Sequence, residues 1–236
     1  MEDKPVALEA YEALAERYAA LIDTKPHNAY YERPATLSLL PDVGGQHVLD
    51  AGCGPGAHAE WLVSNGARVV ALDVSPKMVR LARERLGDRA EVLQADFGRP
   101  LAFADQSFDI VVSALAMDYV ADWAAVFREF YRVLRSSGWL VMSCGHPFAD
   151  MLSHPESNYF QVDLVEWVWK GFGMPVRMPS FRRPLGAVLN PLLHAGFALD
   201  RVLEPLPTEA FRKADPEDFD RLARQPVFLC LRALKR

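Results

Sequence analysis

Along the middle of the chain, short apolar runs alternate with stretches whose apolar residues recur at helical spacing. His47-Val48-Leu49, 68–73, 90–95, 108–113 and 139–144 read as strands, and unbroken runs such as Ile110-Val111-Val112 fit strands buried on both faces of a parallel sheet. Helical periodicity occupies 8–22, where Tyr11, Leu14, Tyr18 and Leu21 form a stripe, and recurs at 35–40, 58–63, 76–86, 122–134 and 185–194. Ser75-Pro76 supplies an N-cap followed by a first-turn proline, and Gly87 a stop. Strand six is expected at 199–206, a short helix at 216–224 and strand seven at 227–234. Strands alternating with helices imply an α/β fold with a doubly wound, mostly parallel sheet.

Residues 159–183 break that rhythm. Alternating apolar positions with Trp167 and Trp169 run to a Gly171-Phe172-Gly173 turn, and 174–183 can pair back, so a β-hairpin flap is expected inside an insertion at about 146–184. The organisation expected is an N-terminal helical lid over 1–40 and one main domain over 41–236.

Composition narrows the partners. Half of the 236 residues are hydrophobic, yet no charge-free run is long enough to cross a bilayer, and the acidic start Met1-Glu2-Asp3 is unlike a secretory signal, so a cytoplasmic protein is expected. A net charge of -5 argues against nucleic acid as a partner and for a small molecule. Three widely spaced cysteines, Cys53, Cys144 and Cys230, suggest neither a disulfide framework nor a metal site.

The chemistry centres on Val48-Leu49-Asp50-Ala51-Gly52-Cys53-Gly54-Pro55-Gly56-Ala57, where a strand breaks into glycines before a helix. Such a turn brings backbone N–H groups close to a ligand at the carboxyl end of the strand. Gly52-x-Gly54-x-x-Ala57 also satisfies the loose dinucleotide fingerprint, so a nicotinamide oxidoreductase is an alternative, as is a cofactor-binding module without chemistry. Asp50 favours a ligand bearing an ammonium group over a pyrophosphate, which it would repel.

Asp50 through Gly56 resembles motif I of the class I S-adenosylmethionine-dependent methyltransferases, and Tyr131-Arg132-Val133-Leu134-Arg135-x-x-Gly138 is similar to that family's turn before strand five. The resemblance covers about 45–144 and is nearest the quinone-biosynthesis and natural-product branches. It implies a seven-stranded Rossmann-like sheet with an antiparallel last strand. The activity implied is transfer of a methyl group from S-adenosylmethionine to a small apolar or aromatic O-, N- or C-acceptor, leaving S-adenosylhomocysteine.

Asp50 and the glycines Gly52, Gly54 and Gly56 would then cup the amino-acid end, and Asp73, at the end of the second strand, both ribose hydroxyls. Asp96 and the Phe97 N–H would meet the adenine, with Ala51, Cys53, Val74, Met78, Leu115 and Tyr18 completing the cofactor set. Tyr11, Asn28, Tyr31, Met117, Tyr119, Trp167 and Arg182 are acceptor-site candidates, with the pair Arg182-Arg183 suited to an acceptor carboxylate. Many relatives carry a histidine where this chain has Asp118. His146, because it lies just past the carboxyl end of strand five, is the candidate general base and a further acceptor-site candidate, ahead of His154 and Tyr119. The flap is also a candidate homodimer contact.

Overall fold

The computed structural model describes residues 4–236; Met1, Glu2 and Asp3, the acidic start of the expected lid, lie outside the described residues. The strands are β1 (His47–Ala51), β2 (Arg68–Asp73), β3 (Ala90–Gln94), β4 (Phe108–Ala114), β5 (Leu134–Gly145), β6 (Asp163–Trp169), β7 (Val176–Arg182), β8 (Phe197–Leu203) and β9 (Phe228–Lys235). Seven of them form one sheet in the order β3-β2-β1-β4-β5-β9-β8. β1 pairs in parallel with both β2 and β4, and β9 runs antiparallel to β5 and β8. The expected class I methyltransferase sheet is present, with its last strand reversed.

Nine α-helices are described: α1 (Leu8–Leu21), α2 (Arg33–Ser38), α3 (Ala57–Ser64), α4 (Pro76–Leu86), α5 (Trp123–Val133), α6 (Pro147–Ser153), α7 (Leu185–His194), α8 (Glu209–Ala214) and α9 (Pro216–Leu222). Layers on both faces explain the unbroken apolar runs. Leu49, Leu72, Val111 and Leu140 pack with the aromatic stripe of α5, while Val48, Ala71, Ile110 and Val112 pack with Leu62, Val79 and Ala82 of α3 and α4. Ser75 caps α4 as its sequence predicts, its Oγ accepting from the Met78 N–H at 3.1 Å.

Some boundaries moved. α5 ends at Val133 because Leu134 is extended and pairs with Phe108, across a register shift, so β5 starts before Gly138 and not after it. Gly138 lies inside the strand, where a Cβ would sit 2.8 Å from the Arg135 carbonyl oxygen and 2.9 Å from that of Asp109. β8 starts and stops earlier than expected, and Leu206, expected inside it, is largely exposed. Leu21, assigned to the buried stripe of α1, is 37% exposed. A π-helical segment at Asn28–Glu32, and helices α6 and α8, were not expected.

The hairpin β6–β7 spans the expected flap, with register Trp167↔Met178. Its inner face, with Met178 and Trp167, packs against α1, while Leu164 and Val168 are exposed on the outer face. Helix α1 is tied to the start of α4 by Glu12, which accepts from the Ser75 hydroxyl and from the Lys77 N–H at 3.0 Å. A charged residue outside the apolar stripe thus sets where the N-terminal helix sits.

Candidate active site

Gly52, Gly54 and Gly56 all hold left-handed φ values, of 82°, 53° and 85°, which side chains resist. Each has a different neighbour. A Cβ on Gly52 would lie 2.3 Å from the Ala116 Cβ, a Cβ on Gly56 would press on Leu86 at 3.3 Å, and a Cβ on Gly54 would meet nothing within 4 Å. Gly52 therefore lets the turn pass under the end of β4, Gly56 lets α3 approach α4, and Gly54 faces open space. The Gly52 and Cys53 N–H groups are anchored on the Leu72 carbonyl at 2.8 and 2.9 Å.

That open space is a cavity of about 540 Å³ at the carboxyl ends of β1, β2 and β4. Gly52, Cys53, Gly54, Asp73, Val74, Met78, Asp96, Phe97, Leu115 and Tyr18 line it, so ten of the residues expected around the cofactor come together. Asp73 has a second duty that its position at the end of a strand did not reveal. Its Oδ2 accepts from the Gly54 N–H and its Oδ1 from the Ser75 N–H, both at 2.9 Å, so it also braces the glycine turn. Burial pushes its carboxyl up, and the N–H groups of Ser75, Gly54 and Val74 pull it back. Asp96 accepts from the Gly98 N–H at 2.8 Å.

Glu32, which sequence reasoning missed, also lines the cavity although its residue is 1% exposed. Its Oε1 accepts from the Thr36 and Ser143 hydroxyls, each at 2.6 Å, and its Oε2 lies 3.7 Å from His58 Nε2. No local pattern marks this cluster, because its members come from separate elements. Leu115, with φ 50°, holds a left-handed backbone through N–H bonds to Ser143 Oγ and its carbonyl. Such strain in a residue with a side chain is common where a backbone must face a ligand.

A second cavity, of about 570 Å³, adjoins the first, and Tyr11, Tyr18, Asn28, Leu115, Tyr119 and Phe181 line both. The Tyr11 hydroxyl donates to that of Tyr119 at 2.8 Å across the shared wall. Trp167, Trp169, Phe172 and Met178 close the far side, with Asp118 and Asp150 among the polar groups.

The remaining expected residues line neither cavity. Asp50 is 1% exposed beneath the turn, with its Oδ2 unpartnered, and Ala51 is wholly buried in β1. Gly56 faces α4. Tyr31 packs against Phe211 and Phe228, and Met117 lies under Trp123, whose Nε1 donates to its carbonyl at 2.8 Å. Arg182 is 2% exposed and paired with Asp163 across the hairpin. Arg183 stacks on Trp123 and donates to the Val120 carbonyl at 2.8 Å.

His146, the expected general base, also lines neither cavity. Its Nδ1 accepts from the Phe148 N–H at 3.0 Å as the N-cap of α6, and its Nε2 meets Glu204 Oε1 at 2.9 Å. Both ring nitrogens serve the fold. His146→Ala is expected to cost about 1 kcal/mol through the lost cap and to lower Tm by roughly 2–4 °C. S-adenosylhomocysteine affinity by calorimetry should be unchanged.

Known proteins share this arrangement. A family model described as "Methyltransferase domain" matches residues 49–142. An S-adenosylmethionine-dependent methyltransferase from Mesorhizobium loti, solved by crystallography, is 31% identical, with 90% of this chain and 99% of that one covered at a TM-score of 0.71. An uncharacterised protein of Haemophilus influenzae is 24% identical over 88% of each chain. A demethylmenaquinone methyltransferase of Clavibacter sepedonicus is 36% identical, with 47% of this chain and 45% of that one covered, so the named curated relative is matched over about half its length. With the glycine turn, the acids at the strand ends, the reversed last strand and a whole-length relative in agreement, the chain belongs to the class I S-adenosylmethionine-dependent methyltransferases.

Proposed function

We propose that the cavity at the glycine turn holds S-adenosylmethionine and that the adjoining aromatic cavity holds a small methyl acceptor. The carrying observation is the shared wall of Tyr11, Tyr18, Leu115 and Tyr119, which brings the two spaces into contact at the end of β4. The cofactor supplies a methyl group on a sulfonium, and the protein's task is orientation and exclusion of water. The named relatives do not favour the nicotinamide alternative.

The residues present fit that cofactor. Gly54 leaves room where a side chain would fill the cavity. Each Asp73 oxygen accepts one backbone N–H and keeps capacity for a ribose hydroxyl. Asp96 and Phe97 would meet the adenine. The buried carboxyls of Asp50 and Glu32, with an Asp50 oxygen left unpartnered, supply negative charge beside the turn for the ammonium group. An acceptor cavity walled in part by tyrosine, tryptophan and phenylalanine rings suits a ligand with an apolar body.

Burial, with the nearby Asp73 charge adding to it, pushes Asp50 up to about 7, and the Ala59 N–H opposes the shift. A carboxyl raised on folding is neutral and harmless at low pH, and destabilises the native state as pH rises from its unfolded value toward 7. Asp50→Asn is therefore expected to be about as stable as the parent near pH 4 and more stable by a few kcal/mol, at most about 4, at pH 8. Its affinity for S-adenosylhomocysteine should fall. Denaturant melts across pH and calorimetric titration test both halves, and undiminished affinity in the variant would remove Asp50 from the cofactor site.

A further inference from the structure

The aromatic cavity is not uniformly apolar. Asp118, on the turn after β4, and Asp150, on α6, both line it, and they converge on Gly145 at the end of β5. Asp118 Oδ2 accepts the Gly145 N–H at 2.8 Å, and a methyl group built on Gly145 would lie 3.6 Å from an oxygen of each carboxyl. Among the described residues, neither acid has an ion-pair partner within 4.0 Å.

Lys170, just after β6, also lines the cavity and is exposed, whereas the other cations nearby are occupied elsewhere. Arg183 lies on the Trp123 ring and donates to the Val120 carbonyl, His27 and Arg221 are held by Asp218, and Lys25 sits over the Phe172 ring. Tyr11, Tyr119, Trp167 and Trp169 line the same cavity, and aromatic rings attract cations once water is excluded.

We propose that this carboxyl pair makes the methyl acceptor an amine. It rests on the reading of the two cavities given above, and it sharpens the acceptor from any apolar or aromatic molecule to one with an ammonium group beside Asp118. The Asp118 carboxylate takes one proton from the ammonium, leaving a neutral nitrogen with a lone pair. That pair forms the new N–C bond to the methyl carbon, the C–S bond breaks with its electrons going to sulfur, and the product leaves as an N-methylammonium while Asp118 returns its proton to water. Charge and atoms balance with no further reactant.

The electrostatics agree with that duty. Desolvation pushes Asp118 up to about 6, against the Gly145 N–H and Arg183, and desolvation with the Asp118 charge pushes Asp150 up to about 7. Acids poised near neutrality can both receive and release a proton at working pH. Tyr11 and Tyr119, raised by burial, stay protonated and cannot act as the base.

The test titrates the protein, saturated with S-adenosylhomocysteine, with three probes of one shape: phenethylamine, 2-phenylethanol and phenylacetate. Phenethylamine is expected to bind at least about tenfold more tightly than the other two. In Asp118→Asn/Asp150→Asn that preference should vanish while S-adenosylhomocysteine still binds, and Asp150→Asn alone, which leaves the Gly145 contact intact, should weaken it. Equal retention of the three probes, absence of retention included, overturns the proposal, as does a preference that survives in the variants. Failure of the parent protein to bind S-adenosylhomocysteine would instead bring down the underlying cofactor reading, and the amine assignment with it.

Discussion

Gly52→Ala is expected to remove most S-adenosylhomocysteine binding and to destabilise the protein by about 2–5 kcal/mol, the sum of two separate costs. The backbone at this position has φ 82°, where a side chain costs about 1–2 kcal/mol. The added methyl would also stand 2.3 Å from the Ala116 Cβ and 3.2 Å from a Phe97 ring carbon, and relieving such overpacking costs about 1–3 kcal/mol. Phe97 and Ala116 both line the cavity at the glycine turn, so whatever gives way changes its wall. A fall in Tm of roughly 5–15 °C and a loss of affinity of about a hundredfold, or about 2.7 kcal/mol, are the expected readings. Gly54→Ala is the internal control. It carries φ 53° but meets nothing within 4 Å, so it should lose affinity with a smaller loss of stability. A Gly52→Ala protein that melts and binds like the parent would refute the close approach of β1 and β4 at this point.

Asp73→Leu is expected to be about as damaging, for a different reason. The substitution strips the acceptors from the Gly54 and Ser75 N–H groups, and each buried donor left unpaired costs about 1–3 kcal/mol. The glycine turn would lose its brace just where it faces the cavity. Asp73→Asn keeps one carbonyl oxygen and should recover about half of the stability, while S-adenosylhomocysteine affinity stays roughly ten- to a hundredfold down because a proposed ribose acceptor is gone. Thermal melts and calorimetry on the two variants separate bracing from binding. If Asp73→Asn bound as tightly as the parent, Asp73 would be a purely structural residue.

The legible and illegible parts of the site divide along a physical line. The glycine turn was readable because left-handed φ values and the need for close approach are local demands, met by residues adjacent in the chain. Asp73 and Asp96 were readable because strands end in predictable places. The bracing by Asp73 was not, since it depends on β1 and β2 lying side by side. The capping contact of His146 was not readable, because a histidine past a strand end fits a base as well as a cap and its contacts with Phe148 and Glu204 appear only in the fold. The pairing of Arg182 was equally hidden, since its partner Asp163 lies across the hairpin. Tyr11, Tyr119 and Trp167 line the second cavity, whereas Tyr31 and Met117, equally plausible by composition, turn into the core.

The sequence alone determined the alternation of strands and helices, the parallel core of the sheet and the turn that faces the ligand, because apolar periodicity and glycine conformations act over a few residues. Tertiary packing decided the rest. It joined Glu32 to Ser143 and drew Asp118 and Asp150 toward Gly145. The Glu32 and Asp118 contacts join segments far apart in the chain, and a carboxylate's chemistry depends on which groups surround it once water has been removed.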